Sequence, residues 1–128
     1  MKIRPDYIVS GEFGDSGGYR AMLELLALSP RPDAVFCYND PVAAGAIKAT
    51  LEANIQVPQE IAIIGAGNVH YSDLLRVPLS TVDQSSTLIG ERAAELLAQS
   101  IDGPADAAPK RIFLPPRLIV RDSSRRRE

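Results

Sequence analysis

The hydrophobic pattern of the chain switches several times between the period of a strand and that of a helix. The uninterrupted apolar runs Ala34–Tyr38 and Ile61–Ile64 predict strands that are buried on both faces, as in a parallel sheet. Weaker patterns predict strands at 7–9, 80–84, 112–114 and 118–120, of which 80–84 is expected at a sheet edge. Apolar positions three and four residues apart predict helices over 17–28, 41–53 and 86–101, and a short one at 72–75.

Local signals mark where these elements begin and end. Asp40 is predicted to cap the second helix, with Pro41 in its first turn and Asn54 closing it in the left-handed conformation. The alternation of strands and helices predicts an α/β fold whose mainly parallel sheet is flanked by helices. Ligands of such sheets bind beyond the carboxyl ends of the strands, so we expect a site among the loops 11–14, 39–40, 65–68 and 83–84.

The composition indicates an ordinary globular chain. Its 128 residues are 45% hydrophobic and 23% charged, which suits one compact domain. The single cysteine excludes an intramolecular disulfide and a cysteine-based zinc cluster. The sequence shows neither a run long enough to cross a bilayer nor a signal-peptide pattern, so a cytoplasmic location is expected.

Charge is distributed unevenly along the chain. Residues 1–106 hold 7 Lys and Arg against 14 Asp and Glu, whereas residues 107–128 hold 7 against 2. An acidic body is not expected to bind nucleic acid by itself. The basic end, residues 123–128, is expected to be a solvated and disordered tail.

Gly65-Ala66-Gly67 directly follows a predicted strand and resembles the start of a dinucleotide-binding turn. Asp83 lies where a ribose-binding acid would be expected, but His70 stands at the third glycine position and Pro78 interrupts the crossover. A nicotinamide-dependent oxidoreductase fragment therefore stays an alternative. We expect no catalytic residue, metal site or cofactor, because Cys37 lies inside an apolar strand and no metal-ligand spacing is present.

Polar side chains fall instead at predicted strand ends. They are Asn39, Asp40, Asn68, Asp83 and Gln84. Amide and carboxylate groups suit sugar hydroxyls, and a loop aromatic, Phe13, can stack on the apolar face of a sugar. The pattern predicts a site for a small polar molecule at one rim of the sheet.

The order of several short motifs is similar to that of the lactose-repressor (LacI) family, over nearly the whole chain. The matching segments are 11–13 with 18–19, 31–40 (Arg-Pro-Asp-Ala-Val-Phe-Cys-Tyr-Asn-Asp), 43–46, 57–65 (Val-Pro-Gln-Glu-Ile-Ala-Ile-Ile-Gly), 78–84 (Pro-Leu-Ser-Thr-Val-Asp-Gln), 90–94 and 114–121. The resemblance implies the carboxyl-terminal lobe of a periplasmic-binding-protein-like core, in a transcription regulator whose two lobes close on a sugar or a nucleobase.

The resemblance also implies roles for single residues. Asn39 and Asp40 take the place of the family's ligand-contacting pair, Phe13 that of a stacking aromatic, and Gln84 lies beside the cleft. The first aspartate of a family turn is Gly67 here, so Asn68, His70 or Tyr71 is expected to substitute for it. The effector is expected to be carbohydrate-like, and a periplasmic sugar-binding protein of the same fold is a further alternative.

The resemblance divides the chain into four parts. Residues 1–85 correspond to the lobe, 86–109 to a helix and loop that pack on an amino-terminal lobe absent from this chain, 110–122 to terminal strands, and 123–128 to the basic tail. Operator DNA is expected to be bound only through a DNA-binding head that this chain lacks. The chain is expected to form a homodimer, or a domain-swapped oligomer through its uncovered helix; the interface residues implied are Pro41, Val42, Gly45, Tyr71 and Leu74.

Overall fold

The computed structural model describes residues 4–101, 103 and 108–126. In these residues four strands form one sheet in the order β1 (Ala34–Phe36), β2 (Ala62–Ala66), β3 (Ser80–Asp83), β4 (Arg117–Ile119). The first three strands are parallel, and β4 runs antiparallel to β3. The helices are α1 (Asp15–Leu26), α2 (Asp40–Glu52) and α3 (Ser86–Ile101), and one 3-10 turn spans Pro5–Tyr7. The predicted α/β fold with a mainly parallel sheet is confirmed.

The core lies between the sheet and the pair α1 and α2. Met22 of α1 and Ile47 of α2 are buried there with Ile61, Ile63 and Leu79. The two helices approach closely because glycine occupies their crossing. A Cβ at residue 45 would lie 1.9 Å from the backbone oxygen of residue 15, and one at residue 18 would lie 2.0 Å from that of residue 42. This contact fixes α2, whose amino end leads into the site.

Among the described residues, nothing buries the opposite face of β1 or the side chains of α3. Val35 packs against the core, so its neighbour Phe36 points to the other face and is 68% exposed. No side chain of α3 is buried, and Leu97 and Ile101 in its apolar stripe are 63% and 74% exposed. Among the described residues, no helix combines the length and apolar character that a bilayer crossing requires.

Three predicted elements are absent from the structure. The strand predicted at residues 7–9 is wrong, because the amides of Tyr7 and Ile8 bond to the oxygens of residues 4 and 5 and leave no ladder. The strand predicted at 112–114 is also wrong: this segment pairs with nothing, and Phe113 is 88% exposed. Residues 72–75 form turns rather than a short helix.

Two predictions of position are also corrected. The strand at 80–84 is not at an edge, since β3 lies between β2 and β4. The tail is not a free end as far as residue 126, because Ser123 is fully buried and donates from its hydroxyl to the oxygen of Ile63 at 2.6 Å. Arg126 donates to the oxygens of Pro58 and Asp33. Residues 127 and 128 lie outside the described residues.

Candidate functional site

The carboxyl ends of β1, β2 and β3 form one rim of the sheet, because these strands are parallel. Asn39 follows β1, Asn68 follows β2 and Gln84 follows β3. The loop before α1 brings Phe13 to Tyr38, which also follows β1. The structure therefore places four of the predicted ligand-contacting residues around one edge. We call this edge the rim.

Two aromatic side chains stand exposed at the rim. Phe13 and Tyr38 are 78% and 71% exposed, and their ring centroids lie 5.2 Å apart in an edge-to-face arrangement. Tyr38 was not singled out as a site residue by the sequence. The strand alternation carries the signal for it, since Val35 and Cys37 face the core and Tyr38 must face away.

Asn39 caps α2. Its Oδ1 accepts a hydrogen bond from the amide of Val42 at 2.8 Å, and its backbone is extended. This corrects the prediction that Asp40 is the cap. Asp40 is the first residue inside the helix, and its side chain is thereby released for another contact.

Asp40 has a different place from the predicted one. It is fully buried, and its carboxylate accepts hydrogen bonds from Thr81 Oγ1 at 2.6 Å, Ser72 Oγ at 2.7 Å and the amide of Val69 at 2.9 Å. A carboxylate saturated by protein donors and closed to solvent does not present itself to a ligand. Asp40 lies beneath the rim rather than on it, and neither Thr81 nor Ser72 was singled out by the sequence.

The glycines at the carboxyl end of β2, Gly65 within the strand and Gly67 after it, have a structural explanation. A Cβ at Gly65 would lie 2.4 Å from Oδ1 of Asp40, so this glycine makes room for a carboxylate. Gly67 has φ +124° and Asn68 has φ 49°, so the turn passes through the left-handed region. The crossover from residue 67 to 79 contains turns and no helix. A dinucleotide-binding turn needs such a helix amino end to hold its pyrophosphate.

Asn68 is tied into a polar network. Its Oδ1 accepts from Arg121 Nη2 at 2.9 Å, and its Nδ2 donates to Asp83 at 3.3 Å. Asp83 also accepts from the amide of Ser85 at 2.7 Å, and Arg121 also donates to the oxygen of Leu79. Arg121 is a site residue that the sequence did not single out; only the antiparallel return of β4 brings it here.

The remaining predicted residues differ in their surroundings. A Cβ at Gly67 would lie 3.8 Å from Cγ1 of Val69 and 4.0 Å from Oδ2 of Asp40, and His70 is exposed and stacks edge-on against the half-buried Tyr71 at 5.2 Å. Leu74 is 78% exposed. Pro41 and Val42 are half-buried, whereas Gly45 is buried against α1.

Cys37 lies in the core and carries no reactive character. Burial raises the pKa of its thiol to about 12, and the charge of Asp40 adds to this shift. A thiol with so high a pKa supplies almost no thiolate nucleophile near neutral pH. In the part of the chain that the structure describes, no three side chains of His, Cys, Asp and Glu are grouped as metal ligands would be.

Comparison with known proteins decides the family. A model of the periplasmic binding protein-like domain matches residues 3–124. The chain belongs to this family. A curated relative, the HTH-type transcriptional repressor PurR of Mannheimia succiniciproducens, is 41% identical over 96% of this chain and 36% of its own length. The chain thus spans just over a third of the length of that relative.

Solved structures place the chain with the LacI-type regulators of this family. A LacI transcriptional regulator of Bacillus cereus subsp. cytotoxis matches with a TM-score of 0.92 at 27% identity, over 98% of this chain and 44% of that one. A LacI family regulator of Enterococcus faecium, with bound ribose, matches with a TM-score of 0.80 at 30% identity, over 89% of this chain and 41% of that one. The LacI-type effector-binding fold is thereby confirmed.

Proposed function

We propose that this LacI-type domain binds a small polar effector at its rim, as one half of a sensor that controls transcription. The convergence at the rim of an exposed aromatic pair with the amides of Asn39 and Gln84 carries the proposal. Oδ1 of Asn39 is committed to the helix cap, so its amide nitrogen is the group it would offer. Flat apolar faces beside a few directed polar groups are typical of small-molecule sites.

A carbohydrate is our first candidate for the effector. An aromatic face beside amide groups suits a sugar ring, and ribose is bound in the Enterococcus faecium structure. A nucleobase-like molecule is the second candidate. Asp40 is fully buried and accepts from three protein donors, so its carboxylate is not free to hold a sugar hydroxyl, while Phe13 and Tyr38 can each contact a planar ring.

The proposed regulator acts by linkage and not by catalysis. An effector that binds one arrangement of the two lobes better shifts the protein toward that arrangement and changes its affinity for operator DNA. In this proposal the DNA is contacted by a head outside this chain and the protein works in the cytoplasm. The relative from Mannheimia succiniciproducens is a transcriptional repressor, which supports a role without enzymatic activity.

A nitrogen-15 NMR titration of the chain tests this proposal. The probes are ribose, glucose, cellobiose, guanine, hypoxanthine and NADH at millimolar concentrations, since half of a cleft binds weakly. We expect one sugar or nucleobase to shift the amide signals of Phe13, Val69 and Gln84. Phe13→Ala should lose these shifts, and the matched control Phe113→Ala, which removes an 88%-exposed ring in a different segment, should keep them.

The other outcomes of the titration count against the proposal. Saturable shifts at Gly65 and Gly67 with NADH alone would favour the oxidoreductase alternative. No response to any probe would count against effector binding at this rim.

We also propose that the chain self-associates. Leu74 is 78% exposed. The next residue, Leu75, lines a groove of about 230 Å³ together with Leu51 and Ile47. The interface implied by the family resemblance is Pro41, Val42, Gly45, Tyr71 and Leu74, of which Gly45 is packed against α1. The uncovered stripe of α3 offers a second surface, which favours a swapped oligomer.

Charge substitutions distinguish the two surfaces in sedimentation velocity experiments. Leu74→Glu should dissociate a dimer formed through the groove, and Leu97→Glu should dissociate an oligomer swapped through α3. Each variant is the matched control of the other. A wild-type monomer at micromolar concentration would contradict both forms of association.

A further inference from the structure

Asp40 connects three segments that meet under the rim. It is the first residue of α2, one of its oxygens accepts from Thr81 of β3, and the other accepts from Ser72 and Val69 of the segment after β2. It is fully buried. A single carboxylate therefore holds the start of a helix, a strand and a turn at fixed distances from one another.

The burial of this charge is compensated only by its present surroundings. A buried carboxylate is costly unless donors surround it. Here three neutral groups donate at 2.6–2.9 Å, and the amino end of α2 contributes its positive dipole. If the carboxylate were lost, the amide of Val69 would be left without this acceptor, and unpaired buried donors cost more than the bond itself contributes.

The hydrogen bonds extend from Asp40 to the turn at the rim. Thr81 Oγ1, which donates to Asp40, also accepts from the amide of Asn68 at 3.2 Å. The consecutive amides of Asn68 and Val69 are thus held by Asp40, one through Thr81 and one directly. They follow Gly67 and include Asn68, whose φ of 49° is unfavourable for most residues and needs such support.

We propose that Asp40 is a positioning residue of the binding site: it holds the turn Gly67–Val69 in the shape that meets the effector, without touching the effector itself. The effect on the turn follows from geometry alone. The effect on effector affinity rests on the proposed function.

Hydrogen exchange of single amides in the ligand-free chain tests the first effect. Asp40→Ala removes both carboxylate oxygens, so neither Val69, Ser72 nor Thr81 keeps this acceptor. We expect the Val69 amide to exchange about tenfold faster, as the loss of one buried hydrogen bond implies. Amides of the core residues Met22 and Ile47 should stay within about twofold of the wild type.

A neighbouring substitution supplies the matched control. Asn39→Ala removes the cap of the same helix and should accelerate exchange at Val42, while Val69 keeps its wild-type rate. Unchanged exchange at Val69 in folded Asp40→Ala would overturn the proposal. So would an equal acceleration at Val69 and in the core, because that would indicate a general loss of stability.

A second variant keeps the proposal testable if Asp40→Ala does not fold. Thr81→Val preserves the shape of the side chain and removes the hydroxyl through which Asp40 reaches the turn. Its Asn68 amide should exchange about tenfold faster, whereas the Val69 amide, bonded directly to Asp40, should not. If neither the Asn68 amide nor the Val69 amide exchanged faster in Thr81→Val than in the wild type, the proposed hydrogen-bond network would be contradicted.

The effect of Asp40 on effector affinity is tested separately. For whichever sugar or nucleobase shifts the wild-type spectrum, Asp40→Ala or Thr81→Val should weaken binding about tenfold. Wild-type affinity in both variants, with the turn loosened, would overturn the link to the effector. If no probe binds the wild type, the proposed function fails while the exchange measurements still decide the role of Asp40 in the turn.

Discussion

Helices α1 and α3 carry similar amphipathic patterns and have opposite fates in the structure. α1 buries Met22 and Leu25 together with two glycines, whereas α3, which is four residues longer, buries none of its side chains. An apolar stripe predicts that a helix needs a partner surface, but it does not supply that surface. For α1 the surface is the adjacent α2 and the sheet; for α3 the described residues offer none.

The same contrast predicts that two regions of the chain respond differently to substitution. The body formed by α1, α2 and the sheet should respond to core substitutions as a close-packed interior does. The region of α3 and residues 108–116 should respond as a surface does, unless a second copy covers it. Three comparisons between the regions test this division.

Thiol reactivity should differ most between the two regions. Cys37 is 5% exposed with a pKa raised to about 12, whereas a cysteine introduced by Leu97→Cys in a Cys37→Ala background would be exposed on α3. At about pH 8 we expect an aromatic disulfide reagent to label Cys37 at least about a thousandfold more slowly. The rate at Cys37 should keep rising toward pH 12, since ionisation is delayed, whereas the rate at residue 97 should level off near pH 9. Equally slow labelling of both would show that α3 is covered.

Truncating an apolar side chain should give the second-largest difference between the two regions. Met22→Ala leaves a cavity in the core and should lower the free energy of unfolding by about 2–5 kcal/mol. Leu97→Ala removes a side chain that is already 63% exposed and should change it by less than about 0.5 kcal/mol. Urea titration followed by circular dichroism measures both. A loss of several kcal/mol in Leu97→Ala would mean that this stripe is buried in solution.

The same glycine substitution should have opposite signs in the two regions. Gly45→Ala places a Cβ 1.9 Å from a backbone oxygen of α1 and should destabilise the chain by about 1–3 kcal/mol. Gly90→Ala in α3 meets nothing within 4 Å and should stabilise the helix by about 0.5–1 kcal/mol. Thermal unfolding curves give both signs. If Gly90→Ala is destabilising instead, another surface lies against α3.

The predicted site shows which features can be identified from local sequence signals. Two strand ends were predictable to within two residues, because the apolar runs end at Tyr38 and Ile64 where β1 and β2 end at Phe36 and Ala66, and parallel strands bring such ends together. The cap was misplaced by one residue, since Asn39 and Asp40 are both good caps and only the buried donors around Asp40 decide between them. The contact of Arg121 with Asn68 could not be predicted from the sequence, because it forms only where β4 returns beside β3.

The α/β order, the helix over Ser86–Ile101 and the resemblance to the family could be read from the amino-acid sequence, because periodicity and short motifs are local properties of the chain. Three features could be seen only in the folded domain: the carboxylate of Asp40 lies buried beneath the rim, Ser123 is buried, and no described residue buries the side chains of α3. Burial and hydrogen-bond partners depend on which distant segments meet. That meeting is set by the packing of the whole domain, and no single stretch of sequence encodes it.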